Sequence, residues 1–360
     1  MGCTVAYTTG TYTAGAVKGA LVALIQGTRP ESVTVRLPEG GEATIPVERL
    51  ILTENAAECS VVKKSYEKDD VTHNLEITAR VSFRADKDII IRAGDGIGTV
   101  RKKGLPVPPG SPAINPTPRR MIIEAIRELT QRGVDVLISA PKGREIAQKT
   151  WNPRLGIEGG ISIIGTTGMM KPKSAPAFKD SIVSQLKVLK EEGIKELIIT
   201  PGNISERAVV ELLKDSIQPD RILQAGDFLG FSLTEAVKVT EDIVVAGHPA
   251  KLAKPIEGYF QTHYTRSPHA KDMVLRFLRG RIPPSLWDIL SGLPTVEGII
   301  QALKKADRLA PFCELAELIE LKIKDYLGRT QAVPVLLFDM ERTLIGLSKS
   351  AKQWIERRST

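Results

Sequence analysis

The chain has 360 residues, of which 42% are hydrophobic, 26% charged and 5% aromatic, and its net charge is +8 at a pI near 9.3. This length is enough for two or three domains with hydrophobic cores. Scarce aromatics and dispersed basic residues disfavour a nucleic-acid surface, and the apolar stretches are far shorter than the roughly 20 residues that span a bilayer. Cys3, Cys59 and Cys313 match no zinc or disulfide pattern, and no signal peptide opens the chain, so we expect a cytoplasmic protein without a bound metal.

Residues 1–117 predict an α+β domain. A Thr/Gly-rich turn precedes a small-residue helix, for which Thr13 is the expected N-cap and Gly27 the stop. Alternating hydrophobicity predicts a hairpin and two further strands, at residues 33–37, 43–47, 75–83 and 88–92. The proline-dense segment of residues 104–118 excludes a helix and is typical of a connector between domains.

Residues 118–275 predict a three-layer α/β domain with a largely parallel sheet, so that the fold class is mixed α/β. A helix starts near Pro118 and ends at Gly133, and short apolar strands then alternate with helices. Three of these helices are expected to start at residue 174, at Asn203, which has capping-box spacing to Glu206, and at Ser232. The predicted strands are residues 134–139, 161–164, 196–200, 221–224 and 242–246.

Residues 276–360 predict a helical tail that ends in a β-hairpin. The clearest helices are residues 296–306 and 313–326, and the hairpin is formed by residues 333–338 and 344–347.

The loops after the predicted parallel strands are rich in glycine and predict a cofactor site. Right-handed crossovers place such loops at one edge of the sheet, where ligands bind. Glycine allows close approach of the backbone, and helix N-termini offer amides to an anion. The alternative is that turns require Gly and Pro in any case. The residues predicted to bind the cofactor are Gly165, Thr166, Thr167, Gly168, Gly202, Asn203 and Gly247, and Gly226-Asp227 forms a fourth loop of this edge.

A second candidate for the cofactor is the loop AGDGIG at residues 93–98. It follows an apolar strand, as the glycine loop of Rossmann methyltransferases does. Arg92 stands where such a loop usually has an acid, and a proline-rich segment replaces the expected helix. We therefore favour a turn here and keep the loop as the second candidate.

Four residues are candidates for acid–base catalysis: His73, His248, His263 and Asp70. Histidine exchanges protons near neutral pH, although most histidines in proteins are structural hydrogen-bonding residues. Asp69 and Asp70 lie just upstream of His73, and His248 lies at the predicted ligand edge.

Several long motifs resemble the CbiD family. They are TTGT from Thr8, VVK from Val61, DDVTH from Asp69, LPVPPGSPAINPTPRRMI from Leu105, KTWNPRLGIEGGISIIGTTG from Lys149, PGNISE from Pro201 and AGHPAKLAK from Ala246. The resemblance implies transfer of a methyl group from S-adenosylmethionine to C-1 of cobalt-precorrin-5B, which gives cobalt-precorrin-6A. Tyr12 stands where the family often has cysteine. Gln261 and Tyr264 replace the first and last residues of the family's NTHS, while His263 aligns with its histidine.

The expected partner is thus a cobalt-containing tetrapyrrole with a rim of carboxylates. We expect no nucleic-acid partner and no membrane association, and the sequence is compatible with a homo-oligomer. Arginine reads carboxylates through two parallel hydrogen bonds. Two arginines at a helix start also oppose the helix dipole, which favours a ligand contact over a mere surface charge. The predicted substrate-binding residues are Arg119, Arg120, Lys149, Arg154, Thr8 and Thr9.

Two functions from other classes compete with a methyltransferase. A small-molecule kinase fits the glycine loops and basic charge, but the chain has no P-loop and no clear pair of Mg²⁺-binding acids. An RNA-binding module is suggested by the pI alone. Nucleotide binding at low concentration would favour the first, and salt-dependent RNA binding the second.

Overall fold

A computed structural model of the chain describes residues 6–66, 70–170 and 175–358. The expected features at Cys3, Asp69 and residue 174 lie outside these ranges. The fold is mixed α/β, as predicted. The chain forms two compact units, Met1–Ala175 and Pro176–Thr360, so the boundaries expected at residues 117 and 275 both fall inside a unit.

The first unit contains a mixed five-stranded sheet. Its elements are α1 (Thr9–Gln26), β1 (Ser32–Arg36), β2 (Glu42–Pro46), β3 (Arg49–Leu52), β4 (Ala56–Val62), β5 (Glu76–Arg84), β6 (Ile89–Ala93), β7 (Gly96–Ile97), β8 (Thr99–Val100), α2 (Pro116–Arg127), β9 (Gly133–Ser139), α3 (Gly143–Ala147), β10 (Ile157–Glu158) and β11 (Gly160–Ile161). The sheet order is β3-β4-β5-β9-β6, antiparallel except for the β6–β9 pair. Helices α1 and α2 pack on the face that carries Ile77, Ala79 and Val81.

The β1–β2 hairpin and the strands β5 and β6 confirm the sequence predictions, whereas β9 corrects one. The segment 134–139 was expected in the parallel sheet of a second domain, but β9 pairs with β5 and β6. Helix α2 ends at Arg127 rather than at Gly133, which begins β9. The cap of α1 is Thr8 and not Thr13, whose hydroxyl instead donates to the Thr9 carbonyl inside the helix. Gly27 ends α1 as expected.

The proline-dense segment is part of the first unit and does not separate two domains. The Ala113 amide donates to the Gly98 carbonyl at 2.7 Å, and the Asn115 amide donates to the Ile163 carbonyl at 3.0 Å. Val107 is buried in a small apolar cluster with neighbouring loops. The prolines restrict the unfolded chain and leave few amides to satisfy, which suits an irregular segment packed against a core.

The second unit is a three-layer α/β structure. Its elements are α4 (Ala175–Glu191), β12 (Glu196–Thr200), α5 (Asn203–Leu213), β13 (Ile222–Gln224), α6 (Leu229–Ala236), β14 (Asp242–Gly247), α7 (Pro249–Leu252), α8 (Ala270–Leu278), α9 (Pro284–Gly292), α10 (Val296–Lys305), α11 (Pro311–Leu327), β15 (Val335–Phe338), β16 (Leu344–Leu347) and α12 (Lys349–Glu356). The sheet order is β13-β12-β14-β15-β16, parallel except for the β15–β16 pair. Strand residues alternate between two cores, so that Ile199 packs with α6 and Ile198 packs with α5.

The terminal hairpin is confirmed as β15 and β16, but it is not a separate tail. Strand β15 pairs in parallel with β14 and thereby extends the sheet, and α12, which was not predicted, packs beside α5. Helix α5 begins at Asn203 as expected, although its N-cap is Gly202, whereas α6 begins at Leu229, before the expected Ser232.

Candidate functional site

The start of α1 is bound to the GTTG loop of the first unit. The Thr8 amide donates to the Gly168 carbonyl and the Gly10 amide to the Ile164 carbonyl, both at 3.0 Å. The Thr9 hydroxyl accepts from the Ile164 amide at 2.9 Å, and Thr9 is only 5% exposed. These bonds satisfy amides that a helix start leaves free for ligands. Thr9 therefore has a structural role, and its predicted contact with substrate stays a prediction.

The glycines of the GTTG loop are required by this packing. Gly165 has φ +138°, and a Cβ there would lie 2.1 Å from the Thr8 hydroxyl. Gly168 has φ +78°, and its Cβ would lie 2.7 Å from Leu37. The loop also follows β11 of the first unit rather than a strand of the parallel sheet. The prediction of four ligand loops on one sheet edge is thus wrong for this loop. Within the loop, Thr166 is exposed, and the Thr167 hydroxyl accepts from the Met169 amide and donates to the Met169 carbonyl.

The VVK and DDVTH motifs meet in a buried ion pair. The Lys63 ammonium lies 2.5 Å from Asp70 Oδ2, and the two side chains are 2% and 9% exposed. Burial raises the pKa of Asp70, but hydrogen bonds from Lys63 and Thr72 outweigh it and leave the pKa below its ordinary value. His73 Nδ1 accepts from the Ser65 amide at 3.0 Å, so the neutral ring carries its proton on Nε2. The catalytic roles of Asp70 and His73 stay predictions.

The four basic residues predicted to bind substrate lie in the first unit and reach its surface. Arg119 is exposed at the start of α2, and Arg120 lies 3.7 Å from Glu124. Lys149 lies 3.4 Å from Glu145, and Arg154 packs 5.6 Å from the centre of the Trp151 ring. The exposed ion pairs of Arg120 and Lys149 contribute about 0–1 kcal/mol to stability, so these two side chains can turn to a ligand at little cost.

The AGDGIG loop lines a polar cavity of about 330 Å³ with Arg101, Arg144 and Glu158. Its glycines face neighbouring protein atoms. A Cβ at Gly96 would lie 1.8 Å from the Ala140 carbonyl oxygen, and one at Gly98 would lie 2.5 Å from Ile157. Internal packing therefore accounts for both glycines, and this supports the interpretation of the loop as a turn.

The parallel sheet of the second unit has a switch point between β12 and β14. The chain leaves β12 through α5 on one face and reaches β13, then returns through α6 on the other face to β14. Loops after the two strands diverge at such a point and leave a crevice, where open α/β sheets bind ligands. The predicted residues Gly202, Asn203, Gly247 and His248 lie at or just after the carboxyl ends of β12 and β14.

Gly202 is the one glycine of these two loops that the fold does not require. Its φ of 168° is extended, and a Cβ there would have no atom within 4 Å. At Gly247, in contrast, a Cβ would lie 2.6 Å from Pro201. Gly202 also caps α5 without a side chain, so no side-chain oxygen occupies the first amides of this helix.

Two polar side chains flank this loop. The Thr200 hydroxyl is fully buried and has no hydrogen-bond partner among the described residues, which is rare for a buried polar group. Asn203 Oδ1 accepts from Gln224 at 2.6 Å, so it is tied to the end of β13 and does not cap the helix as the sequence suggested.

His248 is held by both ring nitrogens. Nδ1 accepts from the Ala250 amide at 3.0 Å, so Nε2 carries the proton and donates to Glu297 at 2.9 Å. The same Glu297 carboxylate accepts from the Met340 amide, which ties α10 to the turn after β15. His248 thus has a structural role at this edge, and a catalytic role for it stays a prediction.

Two lysines of the AGHPAKLAK motif bind the loops around the edge, and the sequence analysis did not assign them. Lys251 lies 3.1 Å from Asp227 Oδ1 and donates to the Gly226 carbonyl at 3.2 Å. Lys254 is 5% exposed and donates to the Thr262 carbonyl at 2.7 Å and to the Ser267 hydroxyl at 2.8 Å. The spacing of the two lysines by three residues after a predicted strand was the available signal.

The predicted His263 lies in the turn that Lys254 holds. Its Nδ1 is 2.8 Å from the Thr265 hydroxyl, and its carbonyl accepts from Ser267. The Thr262 amide donates to the Asp227 carbonyl at 2.9 Å, which places this turn beside the loop after β13. A catalytic role for His263 stays a prediction.

Neither a metal centre nor a membrane span emerges from the described part of the chain. No three His, Cys, Asp or Glu side chains there lie close enough together to hold a metal ion. None of the helices in residues 6–66, 70–170 and 175–358 combines the length and apolar character needed to cross a bilayer.

Comparison with known proteins gives consistent matches. A family model described as CbiD matches residues 2–172. Proteins named cobalt-precorrin-5B C(1)-methyltransferase are similar to this chain: that of Desulfitobacterium hafniense is 38% identical over 89% of this chain and 83% of its own length. That of Alkaliphilus metalliredigens is 35% identical, over 97% and 93%, and that of Thermus thermophilus is 37% identical, over 94% and 92%.

One solved structure also matches, a cobalamin biosynthesis protein (cbiD) from Archaeoglobus fulgidus. It is 25% identical, and the match covers 77% of this chain and 83% of that one with a TM-score of 0.38. On the identity and coverage of the sequence relatives, the chain belongs to the CbiD family.

Proposed function

We propose that this chain methylates cobalt-precorrin-5B at C-1, with S-adenosylmethionine as the methyl donor and cobalt-precorrin-6A as the product. The observation that carries the proposal is the shared name of relatives that are 35% to 38% identical over at least 89% of this chain. An alignment of this length extends over both units, so it supports the same reaction.

The crevice at the ends of β12 and β14 is the proposed cofactor site. S-Adenosylmethionine supplies an electrophilic methyl group, and its amino-acid end carries a carboxylate. The first amides of α5, without a side-chain cap, and the unpartnered Thr200 hydroxyl are hydrogen-bonding groups that fit a polar ligand. The space at Gly202 allows the ligand to approach the backbone closely.

The proposed contribution of the protein to methyl transfer is mainly geometric. Holding the methyl group in line with the ring carbon can supply about 7–11 kcal/mol of the barrier reduction. Arg119, Arg120 and Arg154 are proposed to hold carboxylates of the substrate rim, because arginine binds carboxylates with two parallel hydrogen bonds. Asp70, His73 and His263 are the candidates for taking up a proton.

A comparison of two glycine variants tests the cofactor site. Gly202→Val adds a branched side chain at a position with open space, so the fold should persist while the cofactor is excluded. Gly292→Val is the matched control, because Gly292 also has open space, lacks a positive φ and ends α9. Calorimetric titration with S-adenosylhomocysteine should show binding to the wild type and the control only. Equal affinity in all three proteins would remove the cofactor from this crevice.

The reaction itself is tested with purified protein, cobalt-precorrin-5B and S-adenosylmethionine. The expected product has gained one methyl group at C-1, which mass spectrometry and isotopic labelling of the donor methyl detect. No product and no binding of S-adenosylhomocysteine would refute the proposed function.

The proposal also covers location and partners. We place the enzyme in the cytoplasm, without a nucleic-acid partner. The described cysteines, Cys59 and Cys313, are free, and burial raises the pKa of the Cys59 thiol to about 12, which fits a protein without catalytic thiol chemistry.

A further inference from the structure

The charged groups beside the proposed cofactor crevice do not balance. Lys251 and Lys254 lie three residues apart, and Asp227 is the carboxylate that offsets them. Lys251 forms an ion pair with Asp227, whereas the ammonium of Lys254 donates to a carbonyl and a hydroxyl, which are neutral. One positive charge of this cluster is therefore left over.

Burying this charge is costly. A buried ammonium loses several kcal/mol of hydration, in order of magnitude, and two neutral hydrogen bonds recover only part of it. Burial lowers the pKa of Lys254, and the nearby Lys251 lowers it further against the effect of Asp227. A methionine would fill the same volume without this cost, so the positive charge calls for a role beyond packing.

The position of Lys251 points to that role. Strand β12 lies between β13 and β14 in the sheet. Lys251, on the helix after β14, reaches the Gly226 carbonyl after β13, so its side chain passes the end of β12. Its side chain is 37% exposed, so it is not enclosed by the surrounding loops.

We propose that Lys251 binds a carboxylate of a ligand at the ends of β12 to β14, and that Lys254 is a positioning residue which supplies the extra positive charge and fixes the adjoining turn. The ligand is an organic carboxylate: the amino-acid end of the methyl donor or an acid group on the rim of the tetrapyrrole. This inference rests on the proposed function only for the identity of the ligand.

Three ligands distinguish the two sources of the carboxylate. S-Adenosylhomocysteine carries the amino-acid carboxylate, 5′-methylthioadenosine shares its adenosine part without that group, and uroporphyrin is a tetrapyrrole with a carboxylate rim. Each is titrated into wild type, Lys251→Met, Lys251→Arg and Asp227→Asn. Lys238→Met is the control, because Lys238 also forms an ion pair with a carboxylate, that of Glu235, but lies just beyond the far end of α6.

If the carboxylate belongs to the methyl donor, Lys251→Met lowers the affinity for S-adenosylhomocysteine about tenfold or more and leaves the affinity for 5′-methylthioadenosine unchanged. If it belongs to the substrate, uroporphyrin binding and the KM for the tetrapyrrole change by that factor instead. Lys251→Arg should restore most of the affinity. Asp227→Asn should strengthen the same ligand several-fold, because it frees Lys251 and keeps an oxygen that accepts from Thr262.

If these residues only stabilise the fold, Asp227→Asn should not bind a carboxylate ligand more tightly than the wild type does. The proposal is overturned if Lys251→Met binds all three ligands as the wild type and Lys238→Met do, or if Asp227→Asn weakens every ligand equally. A wild type that neither binds S-adenosylhomocysteine nor methylates the substrate would refute the proposed function, and the uroporphyrin titration would still test the carboxylate site.

Discussion

The buried pair of Lys63 and Asp70 makes the sharpest prediction about stability. The two side chains are 2% and 9% exposed, and their charged atoms are 2.5 Å apart. Lys63→Met removes the cation and leaves the Asp70 carboxylate buried without its charged partner, which costs about 3–5 kcal/mol. For a unit of this size, about 2–4 °C of melting temperature is lost per kcal/mol, so the unit should melt roughly 6–20 °C earlier.

The matched control is the neighbouring Lys64→Met. Lys64 is exposed and bonds the exposed Asn74 at 2.9 Å, so its loss should change the free energy of unfolding by no more than about 0.5 kcal/mol. Urea and thermal unfolding, followed by circular dichroism, measure both variants. The double variant Lys63→Met/Asp70→Asn should regain part of the loss, because no unpaired charge remains. If Lys63→Met and Lys64→Met unfold alike, the assignment of a buried, coupled pair is wrong.

The pH dependence gives an independent test of the same pair. The pKa of Asp70 is lowered in the folded state, so the ionised carboxylate contributes its full stabilisation above pH 3.8. This stabilisation is lost as the pH falls through the pKa of Asp70 in the folded protein. Wild type should therefore lose stability in acid more steeply than Asp70→Asn. Parallel acid-unfolding curves for the two proteins would contradict the assigned shift.

Two further sets of variants separate substrate binding from folding. Alanine at Arg119, Arg120 or Arg154 should raise the substrate KM roughly ten- to a hundredfold, since a charge-assisted hydrogen bond contributes about 1.5–3 kcal/mol. Binding of S-adenosylhomocysteine should stay unchanged. A wild-type KM in all three variants would show that these arginines do not bind the substrate. Gly168→Val should unfold the first unit at lower urea, because φ is +78° and the Cβ meets Leu37 at 2.7 Å; an unchanged urea midpoint would show that the loop tolerates the strain.

The sequence predicts the bounds of strands well, because these follow from local patterns of hydrophobicity. It predicts less well which strands pair, because pairing depends on residues far away in the chain. Residues 196–200 and 344–347 were placed at the observed bounds of β12 and β16. Residues 134–139 were recognised as a strand but assigned to the wrong sheet, because hydrophobicity says nothing about pairing with β5, more than 50 residues earlier. Similarly, several threonines could cap α1, and only the structure shows that the Thr8 hydroxyl accepts from the Thr11 amide.

The candidate site divides in the same way. The motif after β12 marked Gly202 correctly as a loop glycine, but only the structure distinguishes it from Gly168, since one has open space and the other is packed. The burial of Lys254 cannot be predicted from the sequence, because lysine is normally exposed. Its burial depends on the turn of residues 262–267, which adopts no regular pattern.

The attachment of α1 to residues 164–168 has a consequence for synthesis on the ribosome. The helix is complete after its first few tens of residues, but the carbonyls that satisfy its first amides arrive about 155 residues later in the chain. Contacts over such separations form late and slow folding, because the loop between them must close first. The first amides of α1 therefore stay without these partners during most of the translation of the first unit, whereas the apolar face of the helix meets β4 and β5 much earlier.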